Sequence, residues 1–224
     1  AWTYQKLIAP EHRKVWTDSK VNSSKYSMSL FVWYFGTDKQ YPDVPHHMIL
    51  LGKRYKELLT DIFKKHKLAD DFSLYLHRPT ATDPSLAPAG GDAFYVLAPV
   101  PNLASGTDWA KEAEPYRQAI AKYSDESVLP GFEKHIKTSF CMTPQDFQDR
   151  LLSVKGAAFG FEPLGIVLVP RGGRAGRSHI AHIGAAFDQQ TGHQQLRAFI
   201  AAQGDAAFDR LGREHAAHGA QGLV

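Results

Sequence analysis

The run SMSLFVWYFG, from Ser27 to Gly36, is dense in β-branched and aromatic residues and stops at a glycine, the pattern of a buried strand. It is too apolar for one side to face water. Three further runs read the same way: HHMILLG (His46 to Gly52), FSLYLH (Phe72 to His77) and AFYVLAPV (Ala93 to Val100), each bounded by Gly, Pro or Asp. Four such runs predict one sheet. Between the second and third, Tyr55, Leu58, Leu59, Ile62 and Phe63 fall at helical spacing within Arg54 to His66, with Lys56, Glu57, Lys64 and Lys65 turned to water. The spacing predicts an amphipathic helix packed across the sheet. A second helix is predicted from Thr107 to Tyr123, where the start Thr107-Asp108-Trp109-Ala110-Lys111-Glu112 supplies an N-cap candidate and acidic first-turn residues and Trp109, Tyr116, Ile120 and Tyr123 stay in register. Pro115 inside it should kink the helix or split it in two, because proline removes a backbone donor and crowds the preceding turn. Thr143 before Pro144 predicts a third start, with Phe147, Leu151 and Leu152 as the buried face. The expected class is α/β in the broad sense (α+β): an antiparallel or mixed sheet with packed helices.

The chain has 224 residues, 43% hydrophobic and 22% charged, and at roughly 150 residues per domain that means one large domain or two small ones. Collagen-like, coiled-coil and wholly disordered readings are excluded. Cys141 is the only cysteine, which rules out an internal disulfide or a cysteine-based zinc site and favours a reducing compartment. A net charge of +3, spread along the chain, gives no argument for nucleic acid. No secretory signal and no 18-residue apolar run is found, and a start at Ala1 suggests a piece of something longer. After about Leu164 the character changes. Lys155 is the last lysine, Tyr123 the last tyrosine and Trp109 the last tryptophan, and the C-terminal stretch is rich in Gly, Ala, Arg, Gln and His. Such a composition buries little, so residues 164–224 are read as a divergent, poorly ordered tail after a domain at 1–163.

Chemistry-bearing motifs are sparse. His46-His47, His179-x-x-His182 and His215-x-x-His218 each bring two imidazoles together, but a metal site needs a third ligand and none sits at a matching offset; no metal is expected. Neither Gly90-Gly91 nor Arg171-Gly172-Gly173-Arg174 has the strand–glycine–helix order of a phosphate cradle. Arg171, Arg174 and Arg177 lack interleaved aromatics, and Cys141 has no activating neighbour in sequence. The informative stretch is chemically quiet: two strands flank a loop stiffened by Asp83-Pro84-Ser85 and Ala87-Pro88. Phe72, Tyr75, Phe94 and Tyr95, with Phe31, Trp33 and Tyr34, would line a channel for an apolar, elongated molecule, and the same residues serve equally well as ordinary core. No residue is assigned a catalytic role.

The blocks SLFVWYFG (Ser29 to Gly36), PHHMILLGKRYKELLTDIF (Pro45 to Phe63), DDFSLYLHRPTATDPSLAP (Asp70 to Pro88), AFYVLAPVPNL (Ala93 to Leu103) and FCMTPQDFQDRLLSVKGAAFGFEP (Phe140 to Pro163) resemble the bacterial and fungal phytoene desaturases of carotenoid synthesis. The resemblance runs from Ala1 to about Pro163. It implies an FAD-dependent oxidoreductase that removes hydrogens from 15-cis-phytoene in steps toward neurosporene or lycopene. It also implies a cytoplasmic enzyme held peripherally on the membrane that dissolves its substrate. The implied fold is a two-domain flavoprotein in which a Rossmann-like FAD domain is interrupted by a substrate domain, and this chain would be mostly the latter.

Departures from the family are equally specific. Its dinucleotide fingerprint and its G-A-G-T-H-P-G-A-G run are both absent, so no cofactor-binding residue is assigned and the chain by itself is expected to be inactive. Where the family continues with Trp-Phe-Arg-Pro after Glu-Pro, this chain reads Leu164-Gly165-Ile166-Val167-Leu168-Val169-Pro170-Arg171. Codons exist for Leu168 to Arg171 that spell Trp-Phe-Arg one nucleotide later, so the tail reads as a possible frame shift. The alternative reading is a non-catalytic module that binds an apolar isoprenoid or lipid.

Overall fold

A computed structural model describes residues 1–162. The tail, with its histidine pairs, its arginine cluster and the frame-shift question, lies outside them. Two short helices, α1 (Trp2–Lys6) and α2 (Asp18–Ser23), lead into β1 (Ser29–Thr37). Then come β2 (His47–Leu50), α3 (Tyr55–Phe63), β3 (Leu74–His77), β4 (Asp92–Val100), α4 (Trp109–Ser127), β5 (Ile136–Met142) and α5 (Pro144–Leu151). The sheet has five strands in the order β2-β3-β4-β1-β5. Every pairing is antiparallel, so of the two sheet types expected the antiparallel one is realised.

Alternation along β1 divides the sheet into two faces. Phe31, Trp33 and Phe35 stand opposite Ala98, Val96 and Phe94 of β4 and, with Leu74 and Leu76 of β3, point to one side. Helix α4 covers that side. Its buried positions Trp109, Tyr116, Ile120 and Ser124 recur at helical spacing. Phe31 stacks on Trp109 at 5.9 Å and meets Tyr116 edge-on at 5.2 Å, while Trp33 and Phe35 close on Phe132 at 5.8 and 5.2 Å. Each large apolar side chain removed from water here contributes about 1.5–3 kcal/mol, which makes this layer the chief source of stability. Arg117 lays its guanidinium over the Trp33 ring at 5.0 Å.

Several expectations change. Helix α4 takes Asp108 of the expected Thr107-Asp108 start as its cap, its carboxylate accepting from the Ala110 amide at 3.2 Å, while the Thr107 and Ser105 hydroxyls bond each other at 2.8 Å. It also runs as one helix through Pro115. Pro115 and Lys111 are exposed, so the carbonyl that lost its amide partner faces water, which can satisfy it. Helix α5 starts as expected at Thr143, with Asp146 accepting from the Thr143 amide at 2.8 Å to complete a capping box. Its expected buried face is not realised: Phe147 is half-buried, and Leu151 and Leu152 are 52% and 48% exposed. The helix is only two turns long, and Leu152 already turns left-handed at φ 56°. The fifth strand, β5, has no counterpart among the four strands expected from apolar runs.

Candidate functional site

The second face of the sheet carries a row of rings. His47 pairs with His77 across β2 and β3, His77 with Tyr95 across β3 and β4, Tyr95 with Tyr34 across β4 and β1, and Tyr34 with Phe140 across β1 and β5. Directly paired residues share a face, so these five side chains form one line across all five strands, about 19 Å long at the usual strand spacing. Successive rings touch. The centroid distances are 5.0 Å for His47 and His77, 4.6 Å for His77 and Tyr95, 5.5 Å for Tyr95 and Tyr34, and 4.6 Å for Tyr34 and Phe140. Tyr75, on the same face of β3, adds a sixth ring 5.8 Å from Tyr95. The rim is open: Phe140 is 40% exposed and Ile49, beside Tyr75, is 59% exposed.

The tyrosines of this row are neutral phenols. Burial pushes the Tyr34 hydroxyl up to about 12, and burial, reinforced by Tyr75, pushes Tyr95 higher still. Burial also raises Tyr75, partly opposed by its hydrogen bond with Tyr95. These neutral phenols offer dispersion contact without charge. Cys141, on the other side of β5 opposite Trp33, is half-buried; burial pushes its thiol up to about 12, so it is no nucleophile at neutral pH.

The structure divides the residues expected to line a channel. Tyr75 and Tyr95 lie in or beside the row, together with Tyr34. Phe31, Trp33 and Phe94 lie on the opposite face in the core beneath α4, and Phe72 meets Tyr116 and Tyr123 of α4 edge-on at 5.9 and 5.5 Å. Asp83, Pro84 and Ser85 form a short helical turn in which Asp83 accepts from the Ser85 amide at 3.1 Å and hydroxyl at 2.6 Å. Its neighbour Thr82 bonds His46 Nδ1 through its hydroxyl. A cleft of about 590 Å³ opens among Tyr26, Met28, Ile62, Phe63, Lys64 and Lys155, which are not the residues the sequence pointed to.

What anchors the loop is a buried carboxylate. Asp92, fully buried at the start of β4, accepts from Arg78 Nε at 2.9 Å, from the Thr80 hydroxyl at 2.6 Å and from the Tyr41 amide at 2.7 Å. Arg78 also donates to the Val44 carbonyl at 3.0 Å. This knot ties the approach to β2, the end of β3 and the turn at Pro79–Ala81 to the head of β4. Sequence reasoning missed Asp92, Arg78, His77 and Phe140. Only His77 carried a signal, as one more imidazole ending an apolar run.

The described residues do not fit a dinucleotide. With every pairing antiparallel they contain no parallel βαβ unit to deliver a pyrophosphate to a helix N-terminus. Among them, no helix is long and apolar enough to cross a membrane.

No family model matches the chain. Among curated proteins, 166 residues are 49% identical to a neurosporene-forming phytoene desaturase of Rhodobacter capsulatus, covering 72% of this chain and 32% of that protein. A lycopene-forming phytoene desaturase of Pseudescherichia vulneris is 46% identical over 165 residues, 72% of this chain and 33% of the relative. A 4,4'-diapophytoene desaturase of Methylomonas sp is 38% identical over 154 residues, 68% of this chain and 30% of the relative. The matched part is thus carotenoid-desaturase sequence on a mixed α and β fold. More narrowly, the chain is a partial-length relative of the bacterial phytoene desaturases and spans about a third of their length.

Proposed function

We propose that residues 1–163 are the substrate-binding part of an FAD-dependent phytoene desaturase, and that the ring row is where the polyene lies. The observation that carries this is the unbroken line His47, His77, Tyr95, Tyr34 and Phe140, open at its rim, on the face of the sheet that α4 does not cover. A long hydrocarbon whose double bonds are mostly isolated has no polar group to recognise, so its affinity must come from apolar area and ring contact, which a row of aromatic side chains supplies. The row holds and orients the chain, and its burial excludes water from the bonds to be desaturated. The turn at Asp83-Pro84-Ser85 borders the same region through Thr82 and His46. The flavin, which supplies the redox chemistry in such an enzyme, belongs to parts of it other than the described residues. The membrane surface is the source of so apolar a substrate, so the working enzyme is a peripheral, cytoplasm-facing protein that delivers neurosporene or lycopene.

The absence of a dinucleotide cradle among the described residues favours one second reading for the chain alone, a flavin-free module that binds an isoprenoid. One experiment tests the ring row and the place of the flavin. The purified full chain is mixed with FAD and with phytoene in detergent micelles, and flavin absorbance and quenching of aromatic fluorescence are followed. Phytoene is expected to quench, the Tyr34→Ser/Phe140→Ser variant to lose that quenching, and FAD to stay unbound. Stoichiometric flavin uptake would refute the proposed division of labour. Quenching that survives in the double variant would refute the ring row as the polyene site.

A further inference from the structure

At the β2 end of the row three imidazoles converge. His46 precedes β2, His47 opens it and His77 closes β3, and one ring nitrogen from each lies within 4.8 Å of the other two. His46 Nε2 and His77 Nε2 face one another at 2.7 Å, one donating to the other. The sequence offered only the adjacent pair and no third ligand, because the partner is some 30 residues away and the strand register alone brings it in.

We propose that His46, His47 and His77 form a binding site for a divalent transition ion of the zinc class. Three neutral imidazoles are a sufficient protein ligand set for zinc, with a fourth position left for water or another oxygen. The second ring nitrogens are held as in such sites: His46 Nδ1 bonds the Thr82 hydroxyl, and His47 Nδ1 bonds the Tyr75 hydroxyl at 2.5 Å. These contacts set the orientation of two rings before any metal arrives. Arg78, the cation next to His77 in sequence, is already paired with buried Asp92. A zinc ion held by both His46 and His77 needs their nitrogens about 3.3 Å apart, so the ion would replace the shared proton and part the rings by roughly half an ångström. Bound there, it would clamp the β2 edge to the turn at Thr82 and fix one end of the ring row.

The test uses the full chain and Zn²⁺ in competition with a chromophoric chelator, with Co²⁺ as a spectroscopic substitute. The expected result is one ion per chain with the visible absorption of tetrahedral Co²⁺. The tail histidines are the necessary control: a variant with His179, His182, His193, His215 and His218 all changed to Gln keeps the site, whereas His46→Gln/His47→Gln loses it. Thr82→Val removes only the outer contact and is expected to weaken Zn²⁺ binding about 10- to 100-fold. His47→Gln alone, at an exposed position, serves if the double variant fails to fold. Zn²⁺ binding that disappears with the tail histidines, that is indifferent to His47→Gln, or that is absent altogether overturns the proposal. None of these outcomes depends on phytoene, so the desaturase reading stands or falls separately.

Discussion

Removing the Asp92 carboxylate should destabilise the fold far more than its single side chain suggests. Asp92 is fully buried and accepts three hydrogen bonds, one of them from a guanidinium whose side chain is itself 9% exposed. In Asp92→Ala that guanidinium stays buried without its counter-charge, and breaking a buried pair in this way costs about 3–5 kcal/mol. For a chain of this size 1 kcal/mol moves Tm by about 2–4 °C, so Tm should fall by about 6–20 °C. The double variant Asp92→Ala/Arg78→Met removes both charges and should recover much of the loss, because an apolar replacement of a whole buried pair is often neutral. Thermal unfolding followed by fluorescence reports the core directly, since Trp33 and Trp109 are both buried there. A fall under about 3 °C for Asp92→Ala, or a double variant no better than the single, would refute the idea that the knot is held by compensated burial.

Three further outcomes rest on local features. Gly156 has φ +62°, and a Cβ there would run into the Pro144 carbonyl oxygen, so Gly156→Ala should cost more than about 2 kcal/mol in denaturant unfolding, against a few tenths for a change at an open turn. Cys141, with its thiol near 12, should react with a disulfide reagent at pH 8 about 100 times more slowly in the native chain than after denaturation; equal rates would contradict its burial. The Arg117 guanidinium holds the Glu114 carboxyl down from 4.5 to about 2. A lowered carboxylate adds stability above its unfolded value and loses it as pH falls through the folded one. Glu114→Gln should therefore lower stability at pH 6, by under about 1 kcal/mol because Glu114 is exposed, and the gap should shrink between pH 4.5 and pH 2.

The elements that could be read from sequence are those whose signal is local. Strands β1 and β4 announce themselves because both faces of each are covered for much of their length, which leaves near-continuous apolar runs. Strand β5 did not, because it is an edge strand whose Lys137, Thr138 and Ser139 break the apolar pattern. Grouping Phe31, Trp33 and Tyr34 into one lining overlooked the period of two, which sends Tyr34 to the opposite face from its neighbours. Which face is covered depends on where α4 lands, and no residue in β1 encodes that. The histidine cluster and the Asp92 knot were hidden for a different reason: their members are joined by strand register and hydrogen bonds across up to 51 residues of chain, and sequence spacing carries no trace of either.

The alternation in β1 separates two kinds of change that selection could act on. Substitutions at Phe31, Trp33 or Phe35 alter how firmly the molecule holds together, whereas those at Tyr34, and at Tyr95 and Phe140 beside it, change the ring row proposed to hold the polyene. If the ring row holds a polyene as proposed, a lineage could retune the length or saturation of that hydrocarbon at the exposed end of the row, Phe140, with little cost to folding. Insertion of a single residue into the strand would exchange the two sets and damage both at once. Variation among relatives should therefore consist of replacements on the ring side and almost never of length changes within the strand.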